Sequence, residues 1–248
     1  MSEWIYGRRT VAEHLRAAPE TCRRLVLAPG SGIFDEILRD AEKVGIPVER
    51  AGRNRLDRLA QGGTHQGVCL EVGGWDYWEL EDIAARAREP QRLPVLVALD
   101  SVQDPRNLGA VLRVIDGAGA AGVLIPKDRA VGINPSVARS ASGALASTPV
   151  ARVVNLGRAL DELRRGGFWL AGTACDAPVE LCEVEVVFPA VLVFGGEHRG
   201  MRPNVARRCD VEFRLPMAGK VSSLNLAVAC GVTCYELLRR FRDSRRVF

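Results

Sequence analysis

Lysine is nearly missing from this chain of 248 residues: Lys43, Lys127 and Lys220 are the whole set, so 31 of the 34 basic side chains are arginine. Arginine suits bidentate contacts with phosphate, although a GC-rich codon supply accounts for the same bias equally well. Histidine is just as scarce, at three residues, and the seven cysteines are odd in number, scattered, and without a C-x-x-C pair. Neither a disulfide framework nor a zinc site is supported by that pattern. Cys230 and Cys234 share a helix face at i, i+4 spacing, which is core packing. Long apolar runs are also missing: "AVLVFGG" at 190–196 is strand-length and far below a membrane span. The opening "MSEWIYGRRT" lacks an apolar signal core. A reduced, cytoplasmic protein without a structural metal is the expectation.

What is present is an ordinary globular balance, 47% hydrophobic and 26% charged, with net charge +4. That charge is compatible with a polyanionic partner without requiring one. Strand and helix patterns alternate. "TVAEHLRAA" predicts a helix, "RRLVLAPG" a strand, "FDEILRDAEKVG" a helix, "IPVERAG" a strand, "RLDRLAQ" a helix and "GVCLEV" a strand. From Pro94 the rhythm continues on a larger scale: strands "VLVALD", "GVLIP", "VARVV", "WLAGTA", "AVLVFGG" and "EFRLPM", with helices "NLGAVLRVIDGAG", "PSVARSASGALAST" and "LGRALDELRRGG" between them and a long final helix. The fold class is therefore α/β, a largely parallel sheet with helices on both faces. A small α/β domain over 1–74, a linker over 75–92 and a larger domain over 93–248 are the expected divisions. Ligands of such sheets gather at loops beyond the strands' C-terminal ends, here "DSVQDPRN", "TACDAP", "GGEHRG" and "MAGKVSSLN".

Two glycine motifs fail on context. "GAGAAG" at 117–122 spells a dinucleotide fingerprint, yet it ends a helix and precedes a strand, the reverse of what that motif needs. "AGKVSS" at 218–223 echoes a phosphate loop, but Arg214 and Val221 stand where Gly and Ser or Thr are required.

A third pattern fits. "DSVQDPRNLGAVLRVIDGAGAAGVLIP", "VFGGEHRGM" and "LPMAGKVSSLNLAVACG" occur in this order and resemble the three motifs of the SpoU (TrmH) family. These are S-adenosylmethionine-dependent RNA ribose 2′-O-methyltransferases of the SPOUT class. The resemblance spans 94–240. "YGRRTVAEHLRA" and "HQGVCLEV" resemble the family's small RNA-binding domain, similar to ribosomal protein L30e. The whole is most similar to the RlmB-like subfamily, which modifies a guanosine of 23S ribosomal RNA; transfer RNA is the nearest alternative substrate. A non-catalytic RNA-binding scaffold with the same fold is the competing reading from another class.

The resemblance implies roles for particular residues. Asn107 orients the nucleotide, and Arg113 grips phosphate and raises the reactivity of the sugar hydroxyl. Because a guanidinium holds its proton, Arg113 is read as electrostatic activation, with a substrate phosphate taking the hydroxyl proton. Glu197 fixes the substrate or a neighbouring loop, and Ser223 and Asn225 turn toward the arginine and ribose. Thr173, Gly195, Leu215, Met217 and Leu224 hold the S-adenosylmethionine. Ser222 is assigned the plain N-cap of the last helix, and His198 is a solvated neighbour of the site. The resemblance also implies a trefoil knot at the C-terminus and a homodimer in which the final helix and first motif meet a partner near the site. Ala146 stands where relatives often carry glutamate, which leaves that helix without a role. In the N-terminal domain, Arg8, Arg9, Arg53, Arg55, His65 and Gln66 lie at probable turns and are the candidate RNA contacts. With 11 basic and 10 acidic side chains over 1–72, a solvated face is the alternative there.

Overall fold

A computed structural model describes residues 3–30, 34–73, 75–197 and 199–245, which leaves His198 outside the described residues, along with the side chain of Ala146. The chain divides into two compact units, one of residues 1–76 with 133–143 and one of 77–132 with 144–248.

The first unit contains β1 (Glu3–Tyr6), α1 (Arg8–Ala17), β2 (Cys22–Leu27), α2 (Asp35–Val44), β3 (Val48–Arg50), α3 (Arg53–Leu59) and β4 (Val68–Val72). Its sheet runs β1-β4-β2-β3, antiparallel except where β2 meets β3. Period-two alternation sends Leu25, Leu27, Val68, Leu70 and Val72 to one face, where Val11, Leu15, Ile37 and Ala41 of α1 and α2 cover them. Val26 and Cys69 face the other way, onto Leu56 and Ala60. β1 had no counterpart among the predicted strands. Its four residues are too few to show a period, and its pairing with β4 is a contact across the whole unit.

The second unit contains α4 (Leu80–Arg86), β5 (Leu93–Asp100), α5 (Pro105–Ala118), β6 (Ala120–Pro126), β7 (Val150–Val153), α7 (Leu156–Arg165), β8 (Trp169–Thr173), β9 (Val179–Glu180), β10 (Ala190–Gly195), α8 (Pro203–Ala206), β11 (Val211–Arg214) and α9 (Leu226–Arg245). The intervening α6 (Pro135–Ala141) clusters with the first unit. The sheet is ordered β7-β6-β5-β10-β8-β11-β9, and its described strand pairs are parallel, as predicted. α4, α7 and α8 lay Ile83, Ala87, Leu156, Leu160, Leu163 and Val205 against Leu96, Ala98, Leu170, Val191 and Val193. Each leucine, isoleucine or valine so buried contributes about 1.5–3 kcal/mol. Val95, Val97 and Leu99 alternate to the opposite face and are buried as well. α5 packs beside β6 and against α9. No helix among the described residues is long and apolar enough to cross a membrane.

The run "GAGAAG" behaves as a helix end. Gly117 is still inside α5, and Gly119 adopts φ 68° as the left-handed cap. Two helix expectations need correcting. The helix read over 135–148 stops at Ala141, because Ser142 and Gly143 take φ 48° and 88° and only a short 3-10 turn follows at 144–146. The Ser-Gly pair was the stop signal, masked by the helix-forming alanines on either side. The last helix begins at Leu226, and its cap is Asn225 in place of Ser222. Asn225 Oδ1 accepts from Ala227 N at 2.9 Å and Val228 N at 3.4 Å.

Candidate active site

β5, β10, β8 and β11 end side by side, and the order of the sheet reverses there: the chain builds β6 and β7 outward on one side of β5, and β8 and β11 on the far side of β10. Such a reversal opens a crevice beyond the strand ends. A cleft of about 760 Å³ occupies it, lined by Thr173, Gly195, Leu215, Met217 and Leu224, together with Glu197, Ser223 and Asn225. Five residues assigned to the cofactor and three assigned to catalysis thus line one cavity.

The cleft suits S-adenosylmethionine on three counts. Its size is within the range that holds a drug-sized ligand, about 300–1,000 Å³. Phe213, Leu215, Met217 and Leu224 give it an apolar wall for an adenosine. Asp176, Glu197 and Glu212 also line it, a set of carboxylates matched to the sulfonium and ammonium charges of the methyl donor. Of the two arginines in the lining, Arg214 is already paired with Glu180 at 3.0 Å. Asp176 and Glu212 were not singled out from sequence; only the loop "TACDAP" pointed toward the first. Gly195 ends β10 where the chain turns back on itself, and a Cβ there would collide with the backbone of Gly200 and Met201.

At the mouth of the cleft the polar side chains form a directed chain. Asn107 Nδ2 donates to Glu197 Oε1, Asn225 Nδ2 donates to Asn107 Oδ1 at 3.0 Å, and Ala227 N donates to Asn225 Oδ1 at 2.9 Å. One end is a carboxylate, which only accepts, and the other is a backbone N–H, which only donates. The orientation of both amides follows from those ends. Asn107 is 6% exposed, held at the start of α5 behind the Asp104 cap and Pro105. It does not itself line the cleft, and its second amide proton and second lone pair have no partner among the described residues.

Arg113 stands apart. It is exposed on α5, makes no hydrogen bond or ion pair among the described residues, and does not line the cleft of its own chain. Six residues of helix rotate it about 120° away from Asn107. Ser222 and Ser223 are exposed cleft residues that do not cap α9.

In the first unit, Arg8, Arg53, His65 and Gln66 line a second cleft of about 1110 Å³. Arg8 lies over the Phe34 ring at 5.3 Å, and its Nε donates to Gln66 O at 3.2 Å. His65 Nε2 lies 3.0 Å from Asp57. Arg9 and Arg55 are elsewhere, drawn to Glu13 and Glu49.

Residues 94–235 match the SpoU rRNA methylase family, and residues 4–78 match the RNA 2'-O ribose methyltransferase substrate-binding family. A 23S rRNA (guanosine-2'-O-)-methyltransferase RlmB of Pseudomonas aeruginosa is 40% identical over 247 residues, covering 97% of this chain and 98% of the relative. The structure of an AdoMet-bound rRNA methyltransferase from Sinorhizobium meliloti superposes with TM-score 0.71 at 26% identity, covering 96% of this chain and 87% of that one. The SpoU methyltransferase AviRb from Streptomyces viridochromogenes gives 0.72 at 25% identity, covering 98% and 91%. With the family matched across most of the second unit, on the strands and loops that form the cleft, this chain belongs to the SpoU rRNA methylase family.

Proposed function

We propose that this SpoU-family methyltransferase moves a methyl group from S-adenosylmethionine to the 2′-hydroxyl of a guanosine ribose in 23S ribosomal RNA. The observation that carries the reading is the directed chain Glu197–Asn107–Asn225 at the mouth of the carboxylate-bearing cleft. The guanosine target is supported by the 40% identity to the P. aeruginosa relative over nearly the full length of both chains.

When bound, the donor supplies an electrophilic methyl on a positively charged sulfur. The chain's own residues do the rest. Leu215, Met217 and Leu224 would hold the adenosine, and Thr173 and the bare backbone at Gly195 would lie against the donor. Asn107 offers its remaining amide proton and lone pair to the nucleotide, while Glu197 and Asn225 keep that amide from turning. Ser223 completes the polar side of the opening. Arg113 binds phosphate and stabilises the oxyanion as the hydroxyl proton leaves toward a substrate phosphate oxygen.

Since Arg113 lies off its own chain's cleft, the reading includes a homodimer in which a partner brings this residue to the site. Val228, Val232 and Tyr235 form an exposed apolar stripe at i, i+4, i+7 along α9, beside exposed Val221 and Leu224, and suit that contact. The trefoil knot belongs to the same proposal: β11 inserts between β8 and β9, and the chain then returns through 215–225 to pack α9 on α5. The first unit is read as the L30e-like RNA-binding domain, with Arg8, Arg53, His65 and Gln66 as its grip, in a cytoplasmic enzyme.

Unmodified 23S rRNA and bulk transfer RNA, each incubated with methyl-labelled S-adenosylmethionine, test the reading. Label in one guanosine ribose of 23S rRNA is the expected result. Label confined to transfer RNA overturns the substrate, and RNA binding without transfer overturns catalysis.

A further inference from the structure

β5 is buried along almost its whole length and ends on a carboxylate, Asp100, with no exposed surface. A charge so placed is costly unless donors surround it. Among the described residues most of its contacts come from one residue, Arg202: the backbone N–H donates to Oδ2 at 2.8 Å, Nε donates to Oδ1 at 2.7 Å, and Nη2 lies in the ion pair 2.7 Å from Oδ1. Ser101 Oγ adds a longer contact of 3.3 Å. Asp100 is also the register partner of Gly195 at the end of β10. One residue therefore holds both ends of the segment 196–201, through the sheet on one side and through its carboxylate on the other.

Gly196 and Gly200 form an antiparallel bridge, with Gly200 N donating to Gly196 O at 2.9 Å. A Cβ on Gly196 would come within 2.9 Å of Ser101 O, so the segment lies directly on the turn that follows Asp100. Glu197 projects from it to Asn107. The path from the buried carboxylate to the catalytic amide is short and continuous.

We propose that Asp100 is a positioning residue for methyl transfer: clamped by Arg202, it closes the segment 196–201 and so holds Glu197 against Asn107. The inference rests on the reading of Glu197 and Asn107 given above. Asp100 does not itself line the cleft, and its carboxylate makes no hydrogen bond to Glu197, Asn107 or Asn225 among the described residues, so its effect on the amides passes through the segment that carries Glu197.

The test is a double-mutant cycle on the full-length protein, with transfer to 23S rRNA counted per S-adenosylmethionine site titrated. Asp100→Asn lowers kcat by about thirtyfold or more, because small displacements of positioning groups are that costly, while KM for the methyl donor moves less than about threefold. Combined with Glu197→Gln, it adds little further loss, because both act through one contact. Arg202→Lys serves if Asp100→Asn does not fold. It keeps the backbone donor and one positive charge, and lowers kcat by about tenfold with the same non-additivity. Wild-type turnover per site in the foldable variant, or losses that multiply with Glu197→Gln, overturn the clamp alone. Wild-type turnover in Glu197→Gln by itself removes the reading of the site, and the clamp with it.

Discussion

Asn225 Nδ2 donates to Asn107 Oδ1 at 3.0 Å, which ties the start of α9 to the start of α5 across 118 positions of sequence. The same Asn225 caps α9 through its Oδ1. One small amide therefore both begins a helix and orients the amide of Asn107, and the two roles use different atoms.

That division predicts separable effects. Asn225→Asp keeps an acceptor for Ala227 N and a favourable charge at the helix start, but it places an acceptor opposite Asn107 Oδ1. Its melting temperature stays near wild type while kcat falls by about tenfold or more. Asn225→Ala loses the cap as well, at about 1 kcal/mol, and melts several degrees lower. Thermal unfolding and initial rates on the three proteins check both halves.

The parallel sheet, the loops that bear the cleft, and the cap at Gly119 were all legible, since each is written in local periodicity or in a glycine at a helix end. The α9 cap was not. "VSSLN" offers three competent capping residues, and the choice falls on Asn225, whose remaining amide protons have Asn107 to reach. The pairing of Asp100 with Arg202 was equally invisible, because 102 positions separate them. Among the arginines assigned to RNA, the link from Arg9 to Glu13 could have been read at i, i+4. The link from Arg55 to Glu49 needed the placement of β3.

Gly195 gives a prediction about the cleft itself. Any side chain there meets the backbone of Gly200 and Met201, so Gly195→Ala forces the two segments apart in the cleft proposed for the methyl donor. Titration calorimetry shows S-adenosylmethionine affinity reduced by at least about tenfold, and far-ultraviolet circular dichroism stays close to wild type because the strand ends at this position. Undiminished affinity would place the donor elsewhere.

His14 gives a pH prediction for the first unit. It is 2% exposed, and burial, reinforced by the positive Arg139, lowers its pKa from 6.5 to about 4. Thr21 Oγ1 donates to Ala18 O, so it accepts from His14 Nε2 at 2.8 Å, and the neutral ring keeps its proton on that nitrogen. The folded state binds fewer protons than the unfolded one between those two values. Stability is therefore full above pH 6.5 and declines as pH falls toward 4, by up to about 3 kcal/mol. His14→Gln retains a donor for Thr21 and flattens this part of the profile. Urea midpoints from pH 7.5 down to 4.5, followed through Trp75 beside His14, report the difference.

Arg113 tests the dimeric reading most directly. Exposed and without a hydrogen bond or ion pair among the described residues, it contributes little to stability, so Arg113→Ala leaves the melting temperature and S-adenosylmethionine binding near wild type. If it supplies the charge that stabilises the reacting oxygen, transfer falls by about a hundredfold or more. Gly195→Ala damages the cleft and leaves Arg113 whole. Should the arginine come from a partner, mixing the two impaired proteins after gentle unfolding and refolding, and assaying at a donor concentration too low to fill the Gly195→Ala cleft, gives mixed dimers with one intact cleft facing one intact arginine. About half of a statistical mixture is then mixed, with one working site of two, so roughly a quarter of wild-type turnover returns. An arginine acting on its own chain's cleft leaves every site in the mixture defective, and no activity returns.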